Sequence, residues 1–325
     1  MHWRTPESSW LVNRLEPPQK PIDIVLDTDT YNEVDDQFAL AYSLLSPEKL
    51  SVKAVYAAPF YCNMPGICVN ARSICPADGM TKSYNEITRL LGLMHRPVQN
   101  FAFKGSATFL SNENIPVESP AAQDLVARAT AREADNPLYV VAIGAITNVA
   151  SALIIQPEIA KKINVVWLGG NHLSFPTTCE FNLMQDVVAA RVVLDSGVPL
   201  TLIPCFGVAS HLLVSAVDMQ TYLKGANTLC DALSELFCAY TDDHFIWAKE
   251  IWDVSAIAYL INPDWVPSAL HNTPRLTDDY HWAQDSTRHL CRVAYIAYRN
   301  PIMKDLFIKL RAAEAYSDDM ITPNL

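Results

Sequence analysis

Short apolar runs alternate with longer amphipathic stretches along most of this chain. IDIVLD (22–27), VKAVYAA (52–58), LYVVAIG (138–144), NVVWLGG (164–170) and PLTLIPC (199–205) are brief, rich in β-branched residues and bounded by turn formers. That pattern predicts buried strands. DDQFALAYSLL (35–45), MTKSYNEITRLLGLM (80–94), SPAAQDLVARATARE (119–133), AITNVASALII (145–155) and DVVAARVVLDSG (186–197) lie between them and predict helices. Strand–helix–strand order, repeated, predicts an α/β fold with a mostly parallel central sheet and helices on both faces. The last third changes character, with 229–261 and 300–315 reading as helical. No repeat, low-complexity run or Gly/Ser linker interrupts the pattern. We therefore expect one domain over residues 21–325, preceded by an arm of residues 1–20 that Pro17, Pro18 and Pro21 close.

Composition narrows the function classes. Half of the 325 residues are hydrophobic and only 10 are glycine, so a large core is available. The net charge is −11, and no run of Lys/Arg or basic–aromatic interleaving occurs. A nucleic-acid or anionic-membrane surface would need such a basic patch. The N-terminus lacks a signal-like apolar core, and no segment approaches the 18 or so apolar residues of a membrane span. The eight cysteines (62, 68, 75, 179, 205, 230, 238 and 291) form no C-x-x-C pair. They are expected to be reduced thiols of a cytoplasmic enzyme.

In an open α/β sheet the chemistry lies at the carboxyl ends of the strands. Candidates there are Asp27–Asp36, Ala58–Phe60, Gly144–Asn148 and Gly169–His172. The first is the densest, because VLDTDTYNEVDDQF puts Asp27, Asp29, Glu33, Asp35 and Asp36 within ten residues. Three readings compete. A solvated loop capping a helix explains Asp35 and Asp36 but not Asp27 and Asp29, which end a buried strand. VLDTDT also fits the DxDxT motif of haloacid-dehalogenase-type phosphatases, with Asp27 as nucleophile, Asp29 as acid/base and Mg²⁺ as counter-ion. That superfamily needs a late acidic pair after a strand, and the pairs at 242–243, 278–279 and 318–319 do not follow clear strands. The third reading is a calcium site of carboxylates plus a backbone carbonyl, outside the EF-hand pattern.

Four segments in order decide among these readings. DTDTYNEVDD resembles the N-terminal DxDxxxDD fingerprint of the inosine–uridine-preferring nucleoside hydrolase family. VVAIGAITNVASAL resembles its TGPLTNIA segment. LGGN with EFNLMQDVVAARVVLDSGVPLTLIP resembles its MGG…EFN…DPEAA…SGLP block, and WDVSAIAYLINPDW resembles its HDPLAVAYLLDP segment. The resemblance spans about residues 22–266 and implies a Rossmann-like sheet, Ca²⁺ as cofactor and a ribonucleoside or related ribosyl compound as small-molecule partner. It also implies a homodimer or homotetramer. Carried over residue by residue, it implies that Asp29 is a Ca²⁺ ligand and the general base on the attacking water. Asp36, Asp253 and the backbone carbonyl of Thr147 complete the metal ligands. Asp35, Glu180 and Asn182 hold ribose hydroxyls. Cleavage of an N-glycosidic bond passes through an oxocarbenium-like sugar, whose positive charge a ring of carboxylates stabilises.

The pattern departs from the family in four places. Five residues, Thr30 to Val34, separate Asp29 from the Asp35–Asp36 pair where the family has three, and Glu33 in this loop is expected to be exposed. The family's GN after the second strand is replaced by Ala-Pro-Phe, leaving Asn63 as the substitute substrate contact within a 59–78 loop rich in Cys, Pro and Asn. No asparagine stands around Ser174–Thr178, where the family has one before EFN that touches the 5′-hydroxyl. The histidine that precedes the last aspartate in the pyrimidine-tolerant branch is Trp252 here. Trp247, Trp252, Phe245 and His244 are then the candidate base pocket, with His244 as general acid if a helix carries it two turns before Trp252. His281 and Trp282 are further candidates of this kind. The alternative in a different class is a ribosyl-binding protein that keeps the site without turnover.

Overall fold

A computed structural model describes residue 3, residues 6–63 and residues 72–313. The first half alternates as its pattern predicts. Strands β1 (Ile22–Thr28), β2 (Leu50–Ala57), β3 (Ala102–Lys104), β4 (Leu138–Ala142), β5 (Ile163–Leu168) and β6 (Leu200–Ile203) are connected by helices. Those helices are α2 (Asp36–Leu44), α3 (Pro76–Leu93), α4 (Pro120–Thr130), α5 (Thr147–Ile155), α6 (Phe181–Gln185) and α7 (Val187–Asp195). Local chemistry fixes several starts. Pro120 stands in the first turn of α4, and the Ser119 hydroxyl accepts from the Ala122 amide at 3.1 Å.

Among the described residues the central sheet has eight strands in the order β3-β2-β1-β4-β5-β6-β12-β9. Strand β9 is Ser268–Asn272 and β12 is Leu290–Ala294; β12 runs parallel to β6, and β9 pairs with it antiparallel. The small ladders β7 (Leu213–Ser215) with β8 (Ala248–Glu250), and β10 (Arg275–Leu276) with β11 (Trp282–Ala283), lie outside this sheet. Side chains alternate between two cores. Ile24 and Leu26 of β1 join the cluster under α2, α9 (Thr228–Cys238), α10 (Val254–Ile261) and α11 (Arg299–Arg311). Val25 joins the cluster under α4, α5 and α7. Burial on both faces is why these strands read as near-continuous apolar runs.

The last third departs from the helical expectation. Residues 229–261 are broken between α9 and α10 by an irregular segment and by β8, which pairs back onto β7, the strand that leads into the one-turn α8 (Ala216–Asp218). Ile246, with φ of 56°, takes the left-handed conformation that no continuous helix allows. Strands β9 and β12 extend the sheet from sequence that shows no long apolar run. The N-terminal segment folds back: α1 (Ser8–Arg14) buries Leu11, and the Arg14 guanidinium donates to the Asn164 side chain of β5 at 2.7 Å. Arg292 of β12 donates to the Leu15 carbonyl at 2.7 Å. No helix among the described residues is long and apolar enough to cross a membrane. The expectation of reduced cysteines fails at Cys62, which is disulfide-bonded, while Cys75, Cys179, Cys205, Cys230, Cys238 and Cys291 are free. Cys68 lies outside the described residues.

Candidate active site

Sheet register brings the acidic stretch to one rim. Asp27 pairs with Tyr56 of β2 and Ala142 of β4, and its carbonyl accepts from the Ile143 amide at 2.8 Å. The chain then leaves β1 through Asp29, turns where the Asn32 amide donates to the Asp29 carbonyl at 2.7 Å, and enters α2 at Asp36. Asp253 reaches the same place from the start of α10, where its amide donates to the Asp35 carboxylate at 3.3 Å. A cavity of about 370 Å³ opens above, with Asp29, Asp35, Asp36 and Asp253 among its lining residues. Gly144 permits the approach of β4 to Asp29, because a Cβ there would lie 2.9 Å from an Asp29 carboxylate oxygen.

One carboxylate oxygen each from Asp35, Asp36 and Asp253 lies within 4.8 Å of the others. These residues are buried, as is Asp29, and the Oδ2 atoms of Asp27 and Asp29 have no hydrogen-bond partner. Burial first, and then mutual repulsion, pushes Asp29, Asp36 and Asp253 well above the usual carboxylate range. Asp35 is pushed up to about 7, by burial and by Glu33. Crowded hard oxygens, buried and partly unsatisfied, fit a calcium ion. The counter-charge within the protein is small. The Thr28 hydroxyl donates to Asp36, and Lys249 of β8 donates to Glu33. Glu33 is thus half-buried and held by a salt bridge instead of being exposed.

The structure separates the remaining candidates. Glu180 and Asn182 line the cavity, at the start of α6. The Glu180 carboxylate accepts from the amides of Gly170 (2.8 Å), Asn182 (2.9 Å) and Leu183 (3.1 Å), and the Asn182 side chain donates to the Leu168 carbonyl at 3.0 Å. Trp252 lines the cavity too, edge-on to Phe206 with ring centroids 5.4 Å apart. Thr147 does not line it. Its hydroxyl donates to Asp186 at 2.7 Å in the first turn of α5, and Ile143, just beyond β4, stands on the wall instead. Asn63 lines a neighbouring hollow with Tyr61, Phe109 and Gln185, joined to the first through Met184.

His244 is not among the cavity's lining residues. Its ring Nε2 meets the Cys238 carbonyl at 2.9 Å, in the irregular segment that replaces the anticipated helix. Phe245 is exposed, and Trp247 packs on Phe237 at 5.1 Å. Trp282 donates to the Asn171 carbonyl at 2.9 Å, and His281 is exposed. Asp27, the nucleophile of the phosphatase reading, is fully buried beneath the cavity and held by the Asn148 side chain at 2.7 Å. Lining residues the sequence reading missed include Ile143, Met184, Cys205 and Phe206. Ile143 follows β4 directly, and Cys205 and Phe206 lie two and three residues past the end of β6, so the carboxyl-end rule covers all three.

A doubly covered, mostly parallel sheet with a carboxylate cluster at its carboxyl rim is an arrangement that can hold a divalent metal ion beside a ligand cavity. The profile of the family described as inosine-uridine preferring nucleoside hydrolase matches residues 24–300, and the chain belongs to that family. It is 26% identical over 254 residues to the non-specific ribonucleoside hydrolase RihC of Salmonella paratyphi B, covering 75% of this chain and 79% of that protein. The purine-preferring ribonucleoside hydrolase of Gardnerella vaginalis has the same fold, with a TM-score of 0.69 at 19% identity over 90% of this chain and 98% of the other. So does the inosine-uridine preferring nucleoside hydrolase of Bacillus anthracis, with a TM-score of 0.65 at 16% identity over 89% and 99% of the two chains. The Asp35–Asp36–Asp253 cluster falls at the calcium site of the family, with Asp36 and Asp253 as the metal-ligand matches and Asp35 as the ribose-side match. Family and cluster together support glycosidase activity.

Proposed function

We propose that this protein is a calcium-dependent N-ribohydrolase, which cleaves a ribonucleoside or related N-ribosyl compound to ribose and free base. The observation that carries the reading is the buried carboxylate cluster, with the unpartnered Asp29 Oδ2 beside it on one cavity wall. Asp29, Asp36 and Asp253 would hold the ion, together with the backbone carbonyl of Ile143 in place of that of Thr147. When bound, Ca²⁺ supplies the positive charge that acidifies a water and orients a ribose diol. Asp29 takes the proton of the attacking water at its free oxygen. Asp35 and Asn182 meet the ribose hydroxyls. Glu180, whose oxygens accept three amides, positions the turn that carries Asn182. The carboxylates stabilise the sugar as it becomes cationic.

Ribose release from a panel of purine and pyrimidine ribonucleosides tests this, run with Ca²⁺, with a chelator, and on Asp29→Ala. Release that the chelator and the variant both abolish is expected. No release with Ca²⁺ bound would instead leave a ribosyl-binding protein.

A further inference from the structure

The cavity has two unlike sides. One is the carboxylate floor. The other is a wall of soft and aromatic side chains: Cys179, Phe181, Met184, Phe206 and Trp252. The Cys179 and Met184 sulfurs lie 3.9 Å apart, and Phe206 meets Trp252 edge-on while stacking on Phe175. Among the described residues the lining holds no serine, threonine, tyrosine, histidine, lysine or arginine.

The stereochemistry of a β-riboside sets what meets that wall. Its 2′- and 3′-hydroxyls lie on one face of the sugar ring, and its base and C5′ lie on the other. Hydroxyls held at the floor therefore turn both the base and C5′ toward the wall. A 5′-hydroxyl buried there needs an acceptor for its proton, and leaving it without one is costly.

The acceptors on the lining are engaged. A carboxylate offers about four acceptor positions. Glu180 fills its own with the amides of Gly170, Asn182 and Leu183 and with the Cys205 thiol. Glu33 is paired with Lys249, and Asp29, Asp35, Asp36 and Asp253 form the floor. Asn182 donates to the Leu168 carbonyl, and its oxygen serves the ring hydroxyls. The hydroxyls just before α6 are turned elsewhere. Ser174 meets the His172 ring at 2.9 Å, Thr177 donates to the Tyr280 carbonyl at 3.1 Å, and Thr178 accepts from the Asn171 amide at 3.0 Å. Trp252 carries an N–H but no acceptor. Among the described lining side chains that leaves Asn32, which stands beside Glu33 and not on the wall.

Met184 also borders the neighbouring hollow of about 240 Å³. The polar group nearest to it there is closed off as well. The Gln185 amide accepts from the Tyr61 amide at 2.8 Å and donates to the Tyr61 carbonyl at 3.1 Å. The wall thus has room for a short group on C5′, and a polarisable thioether suits sulfur and aromatic neighbours.

Resting on the hydrolase reading above, we infer that the preferred substrates are nucleosides without a 5′-hydroxyl, namely 5′-deoxynucleosides and nucleosides with a short 5′-alkylthio group. The bond chemistry is unchanged. The C1′–N bond breaks, water supplies the hydroxyl at C1′ and, in the net, the proton of the departing base. The sugar product is the 5′-deoxy or 5′-alkylthio ribose.

The test compares kcat/KM, in Ca²⁺, for adenosine, inosine and uridine, each against its 5′-deoxy and 5′-methylthio counterparts, by release of free base. Ratios taken within one base hold the leaving group constant. For the base that is cleaved best, both modified forms should exceed the parent by roughly 10- to 100-fold. Met184→Gln puts an amide where the thioether stood and should narrow that ratio by about 3-fold or more. Parent nucleosides cleaved as well as their 5′-modified forms would overturn this inference while leaving the hydrolase intact. A ratio unchanged in the folded, active Met184→Gln protein would overturn the assignment of this wall to C5′. No base released from any compound of the panel would overturn the hydrolase reading and this inference with it.

Discussion

The floor and the wall of the cavity are built differently. The floor residues stand at strand ends and helix starts. Asp29 follows β1, Asp36 opens α2 and Asp253 precedes α10, each fixed by a hydrogen-bonded element packed in the core. The wall comes from connections: Phe206 beyond β6, Cys179 before α6, and Trp252 in the turn after β8. Rigid elements hold the charges close together against their repulsion, and the loops decide what leaves. Chemistry and leaving-group preference can therefore vary separately in this architecture.

The largest effects should come from the floor. Asp29→Ala is expected to lower kcat by about 10²- to 10⁴-fold, the usual contribution of a general base, with the Ca²⁺-dependent rise in Tm reduced but present. A variant that kept near-wild-type turnover would remove Asp29 from the role of base. Calcium removal should also show in stability. In the stripped protein Asp27 and Asp35 are pushed up to about 7, and Asp29, Asp36 and Asp253 are raised as well. The folded state then binds more protons than the unfolded chain between about pH 4 and 7, so its stability falls as pH rises through that window, by about 1.4 kcal/mol per pH unit for each extra proton. Calcium should accordingly raise Tm more at pH 8 than at pH 5 in calorimetry. An equal rise at both would mean that the ion is not held by these carboxylates.

Smaller effects test the supports of each region. Lys249→Met leaves Glu33 unpaired beside Asp35 and should destabilise by about 2 kcal/mol, between an exposed and a buried ion pair. The double variant with Glu33→Gln should recover most of that in denaturant unfolding, and failure to do so would assign the loss to packing of the lysine on Tyr240. Asn148→Ala removes the donor to Asp27 and the acceptor for the Ser106 amide, at about 1–3 kcal/mol. His244→Ala should change kcat/KM by less than about twofold, because the ring lies away from the cavity. A large loss there would return His244 to the site as an acid.

The same contrast explains what could be read from sequence. Buried strands such as LYVVA and INVVWL announce themselves by continuous apolar residues, and the acids that follow them fall at the rim by topology alone. Asp29, Asp35 and Asp36 are legible for that reason, whereas Asp253, at the start of α10, is legible only through the family resemblance of its segment. Strands β9 and β12 were not, because SALHN and LCRVA gain their place by pairing at the sheet's far edge. The base side was misread where a helix was assumed through residues 239–247. Helical spacing places His244 two turns before Trp252, and the chain there turns to form β8 instead. Thr147 comes from the resemblance alone, and in the structure Ile143, four residues earlier in the same segment, lines the cavity.

The most direct measurement is a Ca²⁺ titration of chelator-stripped protein, with bound ion and ribose release followed in the same samples for wild type and Asp253→Asn. One saturable site per chain is predicted, with ribose release rising in step and both lost in the folded variant. Full activity without Ca²⁺, or binding and turnover unchanged in Asp253→Asn, would contradict the assignment of this carboxylate cluster as the catalytic metal centre.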